Sequence, residues 1–169
     1  MTALAHSVPA PTSTSVVTEA LLADIVERVA AERDRWEPLV RFGDGERTWA
    51  RIPVPEDVDV WVISWGTFQR TELHSHGDPT AAFTTVAGVI TEIRPDAHGR
   101  LIPRKFPPGL TQVVRPGEIH DVRNEHVKPA VTIHAYSPRL TTMTYYTWQH
   151  GRVVEDRVVR NSDAGARAW

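Results

Sequence analysis

Cysteine is missing from all 169 residues. That absence removes disulfides, thiolate metal ligands and a cysteine nucleophile together, and it leaves the redox compartment unreported. No apolar run approaches the length of a membrane span. Charge of one sign is not in excess either: 19 Lys and Arg stand against 21 Asp and Glu, a formal net charge of -2. Neither nucleic acid nor an anionic membrane is therefore expected as a partner. Residues 1–17 lack both a basic start and a continuous apolar segment, so they do not read as a signal peptide, and a cytoplasmic location is the default expectation. Any metal chemistry has to use histidine and carboxylate, which suits iron, zinc, copper, nickel or manganese better than a soft metal.

What is present fits one domain. With 41% hydrophobic and 24% charged residues, the chain has the balance of an ordinary globular fold and the length to bury a substantial core. Residues 1–17, rich in Pro, Ser, Thr and Ala, are expected to form a disordered arm, 18–160 a single domain, and 161–169 a flexible tail. Thr18 can cap a helix from Glu19 to Trp36, with Leu22, Ile25, Val26, Val29 and Arg33 along one side, ending before Pro38. From Trp49 the pattern changes to short β-branched and aromatic runs: Val58–Trp65, Phe83–Ile93, Thr111–Val114, Val131–Tyr136 and Met143–Trp148. Residues 94–108, charged and proline-rich, read as an excursion between strands, and His98 as a solvated histidine within it. The fold class is mainly β, a small barrel or jelly roll with the N-terminal helix packed outside.

The chemistry centres on Leu73-His74-Ser75-His76-Gly77. Side chains two apart on a strand share a face, so His74 and His76 can converge inside a barrel. Pro116-Gly117-Glu118-Ile119-His120 supplies a third imidazole and Thr132-Ile133-His134-Ala135-Tyr136 a fourth. A His-x-His pair alone also occurs on surfaces, and His120 could equally be a core histidine satisfied by Asn124. His6, His126 and His150 are expected in solvent without a role, and the six tryptophans mainly in packing.

Taken together, His74-Ser75-His76 between Gly66 and Gly88, followed by Gly117-x-x-His120-x-x-x-Asn124, resembles the two cupin motifs over residues 60–140. The usual glutamate after the second histidine is absent, its positions being Thr80 and Ala81. The resemblance therefore implies a metal held by three neutral imidazoles: His74, His76 and His120. Thr132-x-His134-x-Tyr136-Ser137-Pro138, Trp65-Gly66 ahead of His74, and Gly88-Val89-Ile90-Thr91-Glu92 narrow it to the cysteine dioxygenase family of thiol dioxygenases, bacterial type. That resemblance implies Fe(II) as cofactor, with a small thiol and O2 as partners. Tyr136 would be the hydroxyl beside substrate and oxygen, His134 its orienting partner, and Thr132 the relay hydroxyl. Arg51 would grip the cysteine carboxylate, if a loop shorter than in mammalian members is allowed. Mammalian members cross-link the tyrosine to a cysteine at the position of Ala81, so that thioether cannot form here. Ser137-Pro138 is expected cis, as in relatives.

Three classes stay open on the sequence: an iron thiol dioxygenase for cysteine, 3-mercaptopropionate or another small thiol; a cupin metalloenzyme of other chemistry, such as a zinc or manganese isomerase or hydrolase; and a non-catalytic ligand-binding cupin. The oligomeric state is also open, a monomer among the options.

Overall fold

A computed structural model describes residues 17–43, 45–55 and 58–160. The expected arm (save Val17) and the expected tail lie outside them. In chain order the elements are α1 (Glu19–Ala31), α2 (Arg33–Trp36) and a 3-10 turn (Glu37–Leu39), then β1 (Thr48–Arg51), β2 (Asp59–Trp65), β3 (Leu73–Ser75), β4 (Thr80–Ala87) and β5 (Ile90–Pro95). They continue with β6 (Leu101–Phe106), β7 (Thr111–Val114), β8 (Asp121–Arg123), β9 (Ala130–Ser137), β10 (Thr142–Gln149) and β11 (Arg152–Arg160). Among the described residues no helix is long and apolar enough to cross a membrane.

One wall is a five-stranded sheet in the order β1-β2-β9-β4-β7. The other consists of two three-stranded sheets, β11-β10-β3 and β6-β5-β8. These meet where His74 and His120 form a bridge, their backbones exchanging N–H···O bonds of 2.8 and 2.9 Å, and a second bridge joins Arg70 to Arg123. The two walls enclose the cavity without closing into one continuous hydrogen-bonded barrel. Alternation along β2 and β9 sorts the side chains. Val60, Val62, Ile133 and Ala135 face the helix and share one core with Leu22, Ile25, Val26 and Val29 of α1. The opposite parity, Trp61, Ile63, Trp65, His134 and Tyr136, faces the cavity.

Thr18 caps α1 as expected, its Oγ1 accepting from the Leu21 N–H at 3.2 Å. The helix does not run unbroken to Trp36. It breaks at Glu32 (φ -90, ψ 70), and the restart buries Trp36, whose indole N–H donates to the Ala30 carbonyl at 3.1 Å. Arg33 then falls off the buried stripe and pairs with Glu37 in solvent. The run Phe83–Ile93 is likewise two strands, because Gly88 turns the chain at φ 71 and a Cβ there would lie 2.5 Å from the Pro129 carbonyl oxygen. The excursion over 94–108 contains β6, an edge strand exposed at every position but Phe106, where Pro103 is tolerated. Ser137-Pro138 is cis.

Candidate metal centre

His74 lies on β3, His76 just beyond it, and His120 just before β8, all three at 3% exposure or less. One candidate ligand atom from each lies within 4.8 Å of the others. His76 Nε2 and His120 Nε2 are 3.4 Å apart. The other ring nitrogens set the tautomers. A carbonyl only accepts, so the 2.8 Å contact between His74 Nδ1 and the Glu72 oxygen puts the proton on Nδ1 and leaves Nε2 as a lone pair. His120 Nδ1 contacts Glu92 Oε1 at 2.8 Å with the same consequence. His76 Nδ1 is buried and, among the described residues, without a partner. Burial holds the His74 pKa down at about 4. Burial first, and then the neighbouring imidazoles, hold His76 and His120 well below the ordinary value. At neutral pH the cluster therefore offers unprotonated imidazoles converging on one point, the donor chemistry that a borderline transition metal takes. Among the described residues no carboxylate belongs to the cluster.

Beside it, on β9, the relay residues are connected in part. The Trp65 indole N–H donates to Thr132 Oγ1 at 2.8 Å. The same hydroxyl hydrogen-bonds His134 Nε2, also at 2.8 Å. Burial keeps His134 neutral, with its pKa lowered to about 3. His134 stacks on Phe83 (centroids 5.2 Å, interplanar angle 19°) and lies parallel to Tyr136 at 6.4 Å and 16°. Among the described residues the two are joined by ring packing rather than by a hydrogen bond. Tyr136 meets His76 edge-on at 5.1 Å. Burial pushes its phenol upward, so it stays protonated. Ala81 sits directly opposite Tyr136 in the β4–β9 register.

The histidines, His134 and Tyr136 open on one cavity whose other walls are mostly apolar: Trp49, Trp61, Trp65, Leu140 and Met143 among them. The centre of a water molecule has ≈ 50 Å³ to move in there, room for roughly three to five waters. Arg51 is not among the lining residues. It is 45% exposed and ion-paired with the buried carboxylate of Asp59. The arginine that does line the cavity is Arg47, whose guanidinium lies 5.7 Å over the Trp65 ring. Among the described residues no carboxylate is paired with it. Burial lowers its pKa, an effect that Tyr145 and Tyr136 oppose.

Arg47, Glu92 and Trp65 are the groups whose places the sequence reading did not assign. Alternation would have put Arg47 on the face of Trp49, but it lies one residue before β1. Glu92 was visible only as part of a motif, without its contact to His120. Asn124 does not satisfy His120. Its amide nitrogen donates to the Gly66 and Lys128 carbonyls at 2.9 Å, and its oxygen accepts from the His126 N–H. His98 and His150 are exposed, His126 is half-buried, and His6 lies outside the described residues.

Three comparisons bear on this site. A family model described as cysteine dioxygenase type I matches residues 12–101, a span that includes His74 and His76 and ends before His120. No curated protein matches significantly. An uncharacterized conserved protein with a double-stranded β-helix domain from Klebsiella pneumoniae subsp. pneumoniae is a structural match: TM-score 0.53, 20% identity, 60% of this chain and 85% of that chain covered. TT1209 from Thermus thermophilus matches with TM-score 0.53 and 18% identity, covering 61% of this chain and 93% of that one. These likenesses concern fold alone. The architecture is a cupin fold, mainly β, with its N-terminal helix outside.

Proposed function

We propose, from the premise that the chain belongs to the cysteine dioxygenase type I family, that it is a thiol dioxygenase. L-cysteine and O2 would become cysteine sulfinic acid at an Fe(II) centre held by His74, His76 and His120. The observation that carries this reading is the meeting of three buried imidazoles at one side of a small cavity, with no carboxylate among them. Bound there, ferrous iron would supply the redox chemistry through which both atoms of dioxygen end on sulfur.

The rest falls to the protein's own groups. Arg47 is the cation available to a substrate carboxylate, and a guanidinium binds one through two parallel hydrogen bonds. Tyr136, kept protonated by burial and lying against His76, is a donor at the end of the cavity where the thiol would sit. His134 holds the Tyr136 ring from behind, itself fixed by Thr132 and Trp65. The tryptophan wall excludes water and limits the substrate to a few heavy atoms. The Cys–Tyr thioether of mammalian relatives plays no part, since the chain has no cysteine. The partners are thus two small molecules, and the expected setting is the cytoplasm.

A second reading, 3-mercaptopropionate as substrate, is favoured by one observation. Among the described residues the cavity lining offers a cation for the carboxylate but no carboxylate for an ammonium group. Metal analysis of the purified protein, followed by oxygen uptake with each thiol, tests both. Bound iron and cysteine-dependent uptake are expected. Uptake with 3-mercaptopropionate alone would select the second reading, and tightly held zinc with no thiol-dependent uptake would reject both.

A further inference from the structure

Behind the cavity, the three imidazoles are supported unequally. His74 Nδ1 donates to a neutral carbonyl at 2.8 Å, His76 Nδ1 has no partner among the described residues, and His120 Nδ1 donates to the Glu92 carboxylate at 2.8 Å. Glu92 and His120 are each 2% exposed. We propose that Glu92 is a positioning residue for the metal: its carboxylate holds His120 in the Nδ1–H tautomer with Nε2 toward the cavity, and brings a negative charge to an otherwise uncharged ligand set. The inference rests on reading His74, His76 and His120 as metal ligands.

The local structure is built for this. On β5, Glu92 stands opposite Val122 of β8, the strand that begins immediately after His120. Arg94, two residues along the same strand, donates from Nη2 to the same Oε1 at 2.9 Å, so this oxygen accepts two N–H bonds as a carboxylate does. Arg94 would not lack a partner without Glu92, because its Nη1 already donates to Glu118 at 2.7 Å. The contact to His120 is therefore not a by-product of neutralising Arg94. Hydrogen-bonding a ligand imidazole to a carboxylate raises its basicity and fixes its ring, and loss of such a partner typically weakens metal binding roughly 10- to 100-fold.

The test is competition between the apoprotein and a chromophoric chelator for Zn²⁺ and, without oxygen, for Fe²⁺. Glu92→Gln is expected to weaken both affinities roughly 10- to 100-fold. Glu118→Gln, which takes a carboxylate from Arg94 without touching His120, should leave them unchanged. If Glu92→Gln folds poorly because Arg94 keeps only Glu118 as a partner, the double variant Glu92→Gln/Arg94→Gln removes both charges and must show the same loss. Thermal unfolding of each apoprotein separates a structural effect, which would lower apo stability and spare affinity. Equal affinity of wild type and the Glu92 variants, or an equal loss with Glu118→Gln, would overturn this inference alone. Wild-type protein that takes up neither metal would overturn it together with the reading of the site.

Discussion

Replacing Arg47 by Gln tests which arginine reads the substrate. Arg47 is half-buried over Trp65 and without a carboxylate partner among the described residues, so a bound carboxylate would gain hydrogen bonds to a charged donor already shielded from water. Such bonds contribute about 1.5–3 kcal/mol, which corresponds to roughly 10- to 150-fold in affinity. Gln keeps a donor but not the charge, so the loss for cysteine should fall in the lower half of that range. The assay is thiol-dependent oxygen uptake by iron-loaded protein, comparing cysteine with 2-aminoethanethiol, which lacks the carboxylate. Apparent KM should rise for cysteine and stay nearly level for the amine thiol. Arg51→Gln serves as the counter-case: it strips a buried carboxylate, Asp59, of its cation, so it should lower stability while leaving the ratio between the two thiols intact. An equal effect of Arg47→Gln on both thiols, or a cysteine-selective loss with Arg51→Gln instead, would refute the assignment.

Other perturbations probe the groups behind the cavity. Thr132→Val keeps the shape but leaves the Trp65 N–H and His134 Nε2 without their shared partner; unfolding in denaturant should show a loss of about 1–3 kcal/mol, and an unchanged midpoint would remove the hydroxyl from the account. Acid should destabilise the metal-free protein. The folded pKa values of His74, about 4, and His134, about 3, lie below the unfolded value, so unfolding takes up protons. Stability is then full above pH ~6.5 and declines as pH falls toward the folded values, by up to ~1.4 kcal/mol per pH unit for each histidine; equal stability of the apoprotein at pH 7 and pH 5 would contradict the burial. Ala81→Cys places a thiol opposite Tyr136, and during turnover the intact mass should drop by two hydrogens as a thioether forms; a mass that never changes would show that the register is not sufficient.

Much of this was legible before any coordinates. His74 and His76 announce themselves by spacing, and the motif around Gly117 points to His120, because local strand geometry carries both signals. The helix face at Leu22, Ile25, Val26 and Val29 is likewise a matter of period. Contacts between distant segments are what stayed hidden. Glu92 reaches His120 only because β5 pairs with β8, 28 residues on in sequence. Arg51 and Arg47 lie four residues apart at either end of one short strand, and no pattern in the sequence says which end opens on the cavity. The strand β6 reads as an excursion in the sequence and β11 is not assigned as a strand, because edge strands keep charged residues where interior strands carry apolar ones.

The parity of two strands ties the chemistry to the packing. On β2 and β9 the residues under the helix, Val60, Val62, Ile133 and Ala135, are apolar and nearly inaccessible. Slipping β9 by one residue would turn His134 and Tyr136 under α1 and bring Ile133 and Ala135 into the cavity, and slipping β2 would bring in Val60 and Val62, so the register is fixed by the face that has no chemistry. Across the cavity the opposite holds. His74 and His120 pair their backbones at one of two isolated bridges along the seam between the short sheets, the other being Arg70 with Arg123. A metal bound by both rings would close the seam that the strands leave open. Its removal should therefore loosen the β3–β8 junction, through faster exchange of the His74 and His120 amides, before it disturbs the helix-backed sheet.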